Sequence, residues 1–221
     1  MLPEIGEEGQ RKLAEAKVLV VGAGGLGSPI TMYLAGAGVG TLALMDDDVV
    51  SLTNLHRQVL YGEDMLGMPK AVCATERLQR LNSDVHIITY PERLTPQNAM
   101  ERIAAFDIVV DGTDNPAVRY LISDTCQALK KPYIYGAICG FEGQVAVLCA
   151  GHATYHTLYP QGDAPVDARP VVKGVVGPTP GTVGSVEAVQ AIQLICGCGS
   201  PLIDKLWTID LRTMQSFVVD L

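Results

Sequence analysis

The sequence is short of charge, of basic runs and of cysteine. Only 18% of its 221 residues are charged, and 16 Lys and Arg against 24 Asp and Glu leave a net charge of −8. An acidic chain without a basic run argues against a nucleic-acid coat or an anionic-membrane binder. The six cysteines (Cys73, Cys126, Cys139, Cys149, Cys196 and Cys198) are too few and too scattered for a disulfide framework, so a reducing, cytoplasmic setting is expected. The opening Met1-Leu2-Pro3-Glu4-Ile5-Gly6-Glu7-Glu8 is acidic and lacks the basic-then-apolar order of a signal peptide. There is no internal repeat and no low-complexity tract.

An uninterrupted apolar span is missing as well, although 48% of the residues are hydrophobic. Val18 to Met45 carries no charge, but seven glycines and one proline divide it into a strand, a loop and a helix. A soluble chain is expected.

What is present is alternation. Apolar, β-branched runs at Lys17–Val21, Thr41–Met45, Val85–Thr89, Asp107–Val110 and Tyr133–Tyr135 read as strands. Segments of helical character at Glu7–Ala16, Leu26–Ala37, Pro69–Leu81, Pro96–Ala105 and Ala117–Leu129 fall before and between them. That order predicts an α/β fold, a Rossmann-like, doubly wound and mostly parallel sheet covered on both faces. Gly143–Leu148 reads as a further strand with no helix behind it. A helix at Ser185–Ile195 and a hairpin of Leu206–Ile209 with Phe217–Val219 close the chain as a C-terminal antiparallel extension. Five of the 13 prolines and four of the 23 glycines fall from Pro160 to Gly181, which predicts a crossover loop over about 160–181. A single domain over 1–221 is expected.

Gly22-Ala23-Gly24-Gly25-Leu26-Gly27 fits G-x-G-x-x-G between a strand and a helix, where backbone N–H groups and the helix dipole suit a phosphate. Asp46 ends the next strand, in the place of a ribose-binding carboxylate. The motif calls for a nucleotide without saying which. Thr53-Asn54-Leu55-His56-Arg57-Gln58 follows, and then Lys70 at a helix start in Gly67-Met68-Pro69-Lys70. A nicotinamide has no need of both an arginine and a lysine, whereas a triphosphate does. Asp111-Gly112-Thr113-Asp114-Asn115 ends another strand on the crevice side. An Asp there suits Mg²⁺, which takes one or two carboxylates plus phosphates. Asp114 or Asn115 also qualifies as the N-cap of the following helix.

Taken together these motifs resemble the ThiF/MoeB/HesA family, the bacterial relatives of ubiquitin-activating enzymes, over nearly the whole chain. Gly136-Ala137 and Gly140-Phe141-Glu142-Gly143-Gln144 extend the resemblance. It implies an adenylyltransferase, usually a homodimer, that uses ATP and Mg²⁺ to activate the C-terminal Gly-Gly carboxylate of a small ubiquitin-like sulfur carrier. Thiamine thiazole synthesis is expected ahead of molybdopterin. Carried over, the resemblance implies that Gly22, Gly24, Gly25, Gly27 and Gln58 form the nucleotide site with Asp46, which holds the ribose. Asn54, Arg57 and Lys70 would bind phosphates; Asp114 with Asn115 would organise Mg²⁺. Arg57, Lys70 and Asp114 are the expected catalytic residues.

The chain departs from the family in three places. The usual Arg-Tyr-x-Arg-Gln segment precedes the part matched by Leu2-Pro3-Glu4-Ile5-Gly6, and Arg11 is a poor substitute for its arginine. The first zinc-binding Cys-x-x-Cys position reads Thr154-Tyr155-His156-Thr157. Cys149, His152 and His156 offer a C-x₂-H-x₃-H spacing that lacks a fourth ligand nearby, so zinc is not expected. The place of the crossover-loop cysteine, near Pro170, holds no thiol, and Cys139 is expected to be a buried small hydrophobe. The length suggests an adenylation core with its accessories trimmed. Alternative readings are a non-catalytic homologue that binds ATP and carrier, and an NAD-dependent oxidoreductase.

Overall fold

The computed structural model describes residues 2–160 and 174–221. The chain begins with α1 (Gly6–Glu15), β1 (Lys17–Val21), α2 (Gly27–Ala37) and β2 (Thr41–Met45). It continues through α3 (Lys70–Leu81), β3 (His86–Tyr90), α4 (Ala99–Ala104), β4 (Ile108–Asp111) and α5 (Pro116–Leu129). A hairpin of β5 (Tyr133–Cys139) and β6 (Glu142–Leu148) comes next, then α6 (Tyr155–Leu158), α7 (Pro178–Cys196), β7 (Lys205–Asp210) and β8 (Gln215–Asp220).

These strands form one eight-stranded sheet in the order β3-β2-β1-β4-β5-β6-β7-β8. The pairs from β3 to β5 are parallel and those from β5 to β8 antiparallel, as the alternation followed by a closing hairpin predicts. The period of two along a strand splits the core by face. Val18 and Val20 of β1 pack with Leu13, Ile30, Leu34, Leu78 and Val183 from α1, α2, α3 and α7. Leu19 and Val21 pack on the opposite face with Ile103, Ile122, Cys126 and Tyr155 from α4, α5 and α6. Each fully buried aliphatic chain contributes about 1.5–3 kcal/mol. The central strands are covered on both sides, which accounts for the apolar composition.

Most element ends move by a few residues from the sequence reading; two differences are larger. Helix α7 starts at Pro178, seven residues before the expected Ser185, which ends the predicted loop at Gly177 instead of 181. Pro178 and Pro180 lie in the first turn, where a missing N–H removes no helical bond. Strand β5 runs four residues past Tyr135, because the antiparallel partner β6 extends the ladder to Cys139 opposite Glu142. Most of the expected loop, including Pro170, lies outside the described residues. No helix among the described residues is long and apolar enough to cross a membrane.

Candidate functional site

Sheet order reverses between β1 and β4, and the chain leaves the carboxyl ends of β1, β2 and β4 into one cleft of about 660 Å³. Gly22 takes a positive φ of 95° as it turns out of β1, and a Cβ there would sit 2.6 Å from the Gly112 carbonyl. Glycine is the residue that tolerates both conditions. The next residue, Ala23, is pinned at both backbone groups: its N–H donates to Asp46 Oδ2 at 2.7 Å, and Tyr61 donates to its carbonyl at 2.7 Å. Burial pushes the Tyr61 hydroxyl well above its ordinary range, so it stays a donor. Asp46 Oδ1 meanwhile accepts from the Asp48 N–H.

The cleft is lined by Gly22, Gly24, Gly25, Asp46, Asn54, Arg57, Gln58, Lys70, Asp114 and Asn115. Among the expected nucleotide residues, Gly27 is the one that does not line it. It is buried in the first turn of α2, where a Cβ would collide with the Gly22 carbonyl, so its role is to let the helix start close against the loop. Arg57 Nη2 donates to Asn54 Oδ1 at 2.8 Å, and its Nη1 lies 2.9 Å from His56 Nε2. Lys70 opens α3, is buried, and its Nζ meets Asp48 Oδ2 at 2.9 Å. Asn115 is the N-cap of α5, accepting from Ala117 N at 2.9 Å and Val118 N at 3.3 Å. Gln58 is 4% exposed and its Oε1 is buried without a hydrogen-bond partner among the described residues. A buried acceptor without a donor costs about 1–3 kcal/mol.

Beneath this wall lies a pair that no motif announces. Asp111, at the end of β4, is fully buried and 3.1 Å from Arg119 Nε of α5. Burial works against the Arg119 charge, yet the Asp111 carboxylate holds the guanidinium protonated, above its ordinary value. Behind the pair, Glu187 of α7 is fully buried, neither carboxyl oxygen has a partner among the described residues, and burial raises its pKa well above the usual carboxylate range. A Cβ on Gly136 would strike that carboxyl group. Asp111 opens the strand-end run already singled out, whereas Arg119 and Glu187 show in the sequence only as charged residues within helices.

Other expected residues lie away from the cleft. Arg11 is held on α1 by Glu8 and Glu15, both at 2.7 Å. Cys139 is exposed, against the expectation of a buried thiol, because it ends β5 at the mouth of the β5–β6 hairpin. His152 pairs with Asp204 at 2.7 Å and His156 with Asp124 at 2.8 Å, so the C-x₂-H-x₃-H residues face different carboxylates. Among the described residues, no group of three or more His, Cys, Asp or Glu could hold a metal ion alone. Asp114 fits an ion that takes one protein carboxylate and completes its shell with phosphates and water.

The ThiF family model matches residues 1–221. The chain is 43% identical over 224 residues to the adenylyltransferase and sulfurtransferase MOCS3-1 of Zea mays, a match covering 100% of this chain and 48% of that protein. It is 44% identical over 219 residues to a sulfur carrier protein adenylyltransferase of Thermus thermophilus, covering 95% of this chain and 80% of that one. The chain thus spans about half the length of the plant relative. A crystal structure of E. coli MccB with ATP superposes with a TM-score of 0.83 at 23% identity, covering 96% of this chain and 66% of that chain, which is a likeness of fold.

Proposed function

This chain belongs to the ThiF family, and from that premise we propose that it is an ATP-dependent adenylyltransferase acting on the C-terminal glycine of a ubiquitin-like sulfur carrier. The observation that carries the reading is one cleft in which a glycine loop, a pair of cations and an acidic turn meet. A mononucleotide needs the first, a triphosphate under attack needs the second, and a phosphate-bound divalent cation needs the third.

In this reading the carrier's ionised carboxylate attacks the α-phosphorus of ATP. A new P–O bond forms, the bond to the bridging oxygen breaks, and pyrophosphate departs with the electron pair. A carboxylate is already nucleophilic, so the chain supplies no general base. The loop of Gly22, Gly24 and Gly25 brings backbone close to the phosphates, Asp46 faces the nucleoside with Gln58 beside it on the cleft wall, and Asn54 aims Arg57 at the phosphates. Arg57 and Lys70 offset the charge that builds on the phosphates. Mg²⁺, when bound at Asp114, would neutralise phosphate charge and orient the leaving group.

The same proposal includes a single adenylation unit over 1–221 with a crossover loop, a cytoplasmic setting and a carrier of the thiamine or molybdopterin kind. It includes a homodimer too, supported by exposed Leu52, Val59, Leu66 and Met68 on the segment between β2 and α3. The test is exchange of labelled pyrophosphate into ATP in the presence of a carrier ending in Gly-Gly, abolished by Asp114→Ala. Binding of ATP and carrier without turnover would replace the enzyme with a binding module. Tight NAD⁺ binding without ATP binding would replace it with an oxidoreductase.

A further inference from the structure

The acidic turn at the end of β4 is held from underneath. Asp111 Oδ1 accepts both the Thr113 N–H and the Thr113 hydroxyl at 2.7 Å, and its Oδ2 accepts the Tyr133 hydroxyl at 2.7 Å. Arg119, 9% exposed, donates from Nε to Asp111 Oδ2 at 3.1 Å. Its Nη2 donates to the Thr113 carbonyl at 2.6 Å and to the Gly136 carbonyl of β5 at 3.1 Å. Both backbone polar groups of Thr113 are therefore fixed, the N–H by Asp111 and the carbonyl by Arg119.

Asp114 is the next residue. It is exposed, and its carboxylate has no ion pair or hydrogen bond among the described residues. Nothing orients that side chain except the backbone that carries it. Asn115 then fastens the far side of the turn to α5. A planar guanidinium presents donors along divergent directions at once, so it can span a carboxylate and carbonyls from two elements. An ammonium radiates from a point and cannot reach all three acceptors.

We propose that Arg119 is the positioning residue of this turn: from the buried Asp111 carboxylate it fixes the direction from which the Asp114 carboxylate meets a phosphate-bound divalent cation. The inference rests on the adenylyltransferase reading for its catalytic consequence, although the geometry stands without it.

The test uses the whole chain carrying Arg119→Lys, which keeps a positive charge against Asp111. Amide hydrogen exchange without nucleotide is expected to rise about tenfold or more at Thr113, since the turn loses its carbonyl anchor. Mn²⁺ titrated by electron paramagnetic resonance in the presence of ATP is expected to bind about tenfold more weakly. Carrier-dependent exchange is expected to lose about 10- to 100-fold in kcat, and KM for the metal–ATP complex to rise by about the factor lost in Mn²⁺ affinity, since both close one binding cycle. Tyr133→Phe removes the other donor to Asp111 Oδ2 and leaves Arg119 in place, so its Mn²⁺ affinity is expected to match the wild type. Wild-type protection at Thr113 and wild-type Mn²⁺ affinity in Arg119→Lys would overturn the proposal, as would an equal loss of Mn²⁺ affinity in Tyr133→Phe. Wild-type chain that shows the Arg119-dependent Mn²⁺ binding but no pyrophosphate exchange would overturn the enzyme reading and leave the positioning role standing.

Discussion

Lys70 Nζ lies 2.9 Å from Asp48 Oδ2, yet the partners occupy different media: the lysine side chain is 4% exposed and the aspartate 67%. The ion pair is therefore open to water on its acidic side and contributes little to stability by itself. It holds a cation at the start of α3 on the cleft wall, where the proposed adenylation needs one.

Lys70→Met keeps most of the side-chain volume and removes the charge. Pyrophosphate exchange is expected to fall about 100-fold or more, the usual cost of deleting one preorganised electrostatic contact in a transition state. The thermal midpoint is expected to stay near wild type. Asp48→Asn, by contrast, is expected to retain exchange within a few-fold.

Asn54 and Arg57 form a coupled unit across their 2.8 Å bond. Each alanine substitution is expected to reduce exchange strongly, and the double substitution to cost less than the sum. A cycle of the four proteins is expected to give a coupling energy of about 1 kcal/mol. Additive losses would mean that Asn54 does not aim the guanidinium.

Tyr61→Phe removes the donor to the Ala23 carbonyl and leaves that buried acceptor unpaired. A loss of about 1 kcal/mol in urea titrations is expected. KM for ATP is expected to rise more than kcat falls, since the glycine loop binds ground and transition states alike.

Glu187 titrates stability in the direction opposite to an ordinary carboxylate. Its folded pKa is raised by burial, and further by the Asp111 charge, with Arg119 opposing, from a reference of 4.5. Its contribution is thus fully present below about pH 4.5 and is lost as pH rises through the folded value. Glu187→Gln does not titrate there. The stability difference between the variant and the wild type is expected to shift in favour of glutamine by about 1–3 kcal/mol between pH 5 and pH 8, measured by denaturant midpoints. A parallel pH dependence in both proteins would show that Glu187 ionises normally.

The sheet is legible in the sequence because its parallel strands are short apolar runs, four of them closed in the sequence by Gly22, Asp46, Asp111 and Gly136, and the cleft because its residues sit on the loops that follow. Gly22, Asp46, Arg57 and Lys70 can be assigned to one crevice from their motifs and strand ends alone. Tyr61 cannot, since it acts on Ala23 across 38 residues with no periodic signal. Asp111 opens a motif that points to a metal ligand, yet its pairing with Arg119 is not legible, because a charged residue in a helix interior has no motif of its own. The start of α7 is hidden because Pro178 and Pro180 look like loop residues unless they occupy a first turn. Cys139 escapes because residue type suggests burial, while its exposure follows from how far β5 runs on to its hairpin.

The pairing of β1 with β4 brings Lys17 N within 2.8 Å of the Asp107 carboxylate, 90 residues away along the chain. Closing a loop of that length costs conformational entropy before any contact rewards it, so this step is slow relative to local helix formation. The glycine turn after β1 and the acidic turn after β4 meet only once it is complete, since Gly22 rests on Gly112. The cleft therefore depends on β4 having docked against β1, which joins residues about 90 positions apart in the chain.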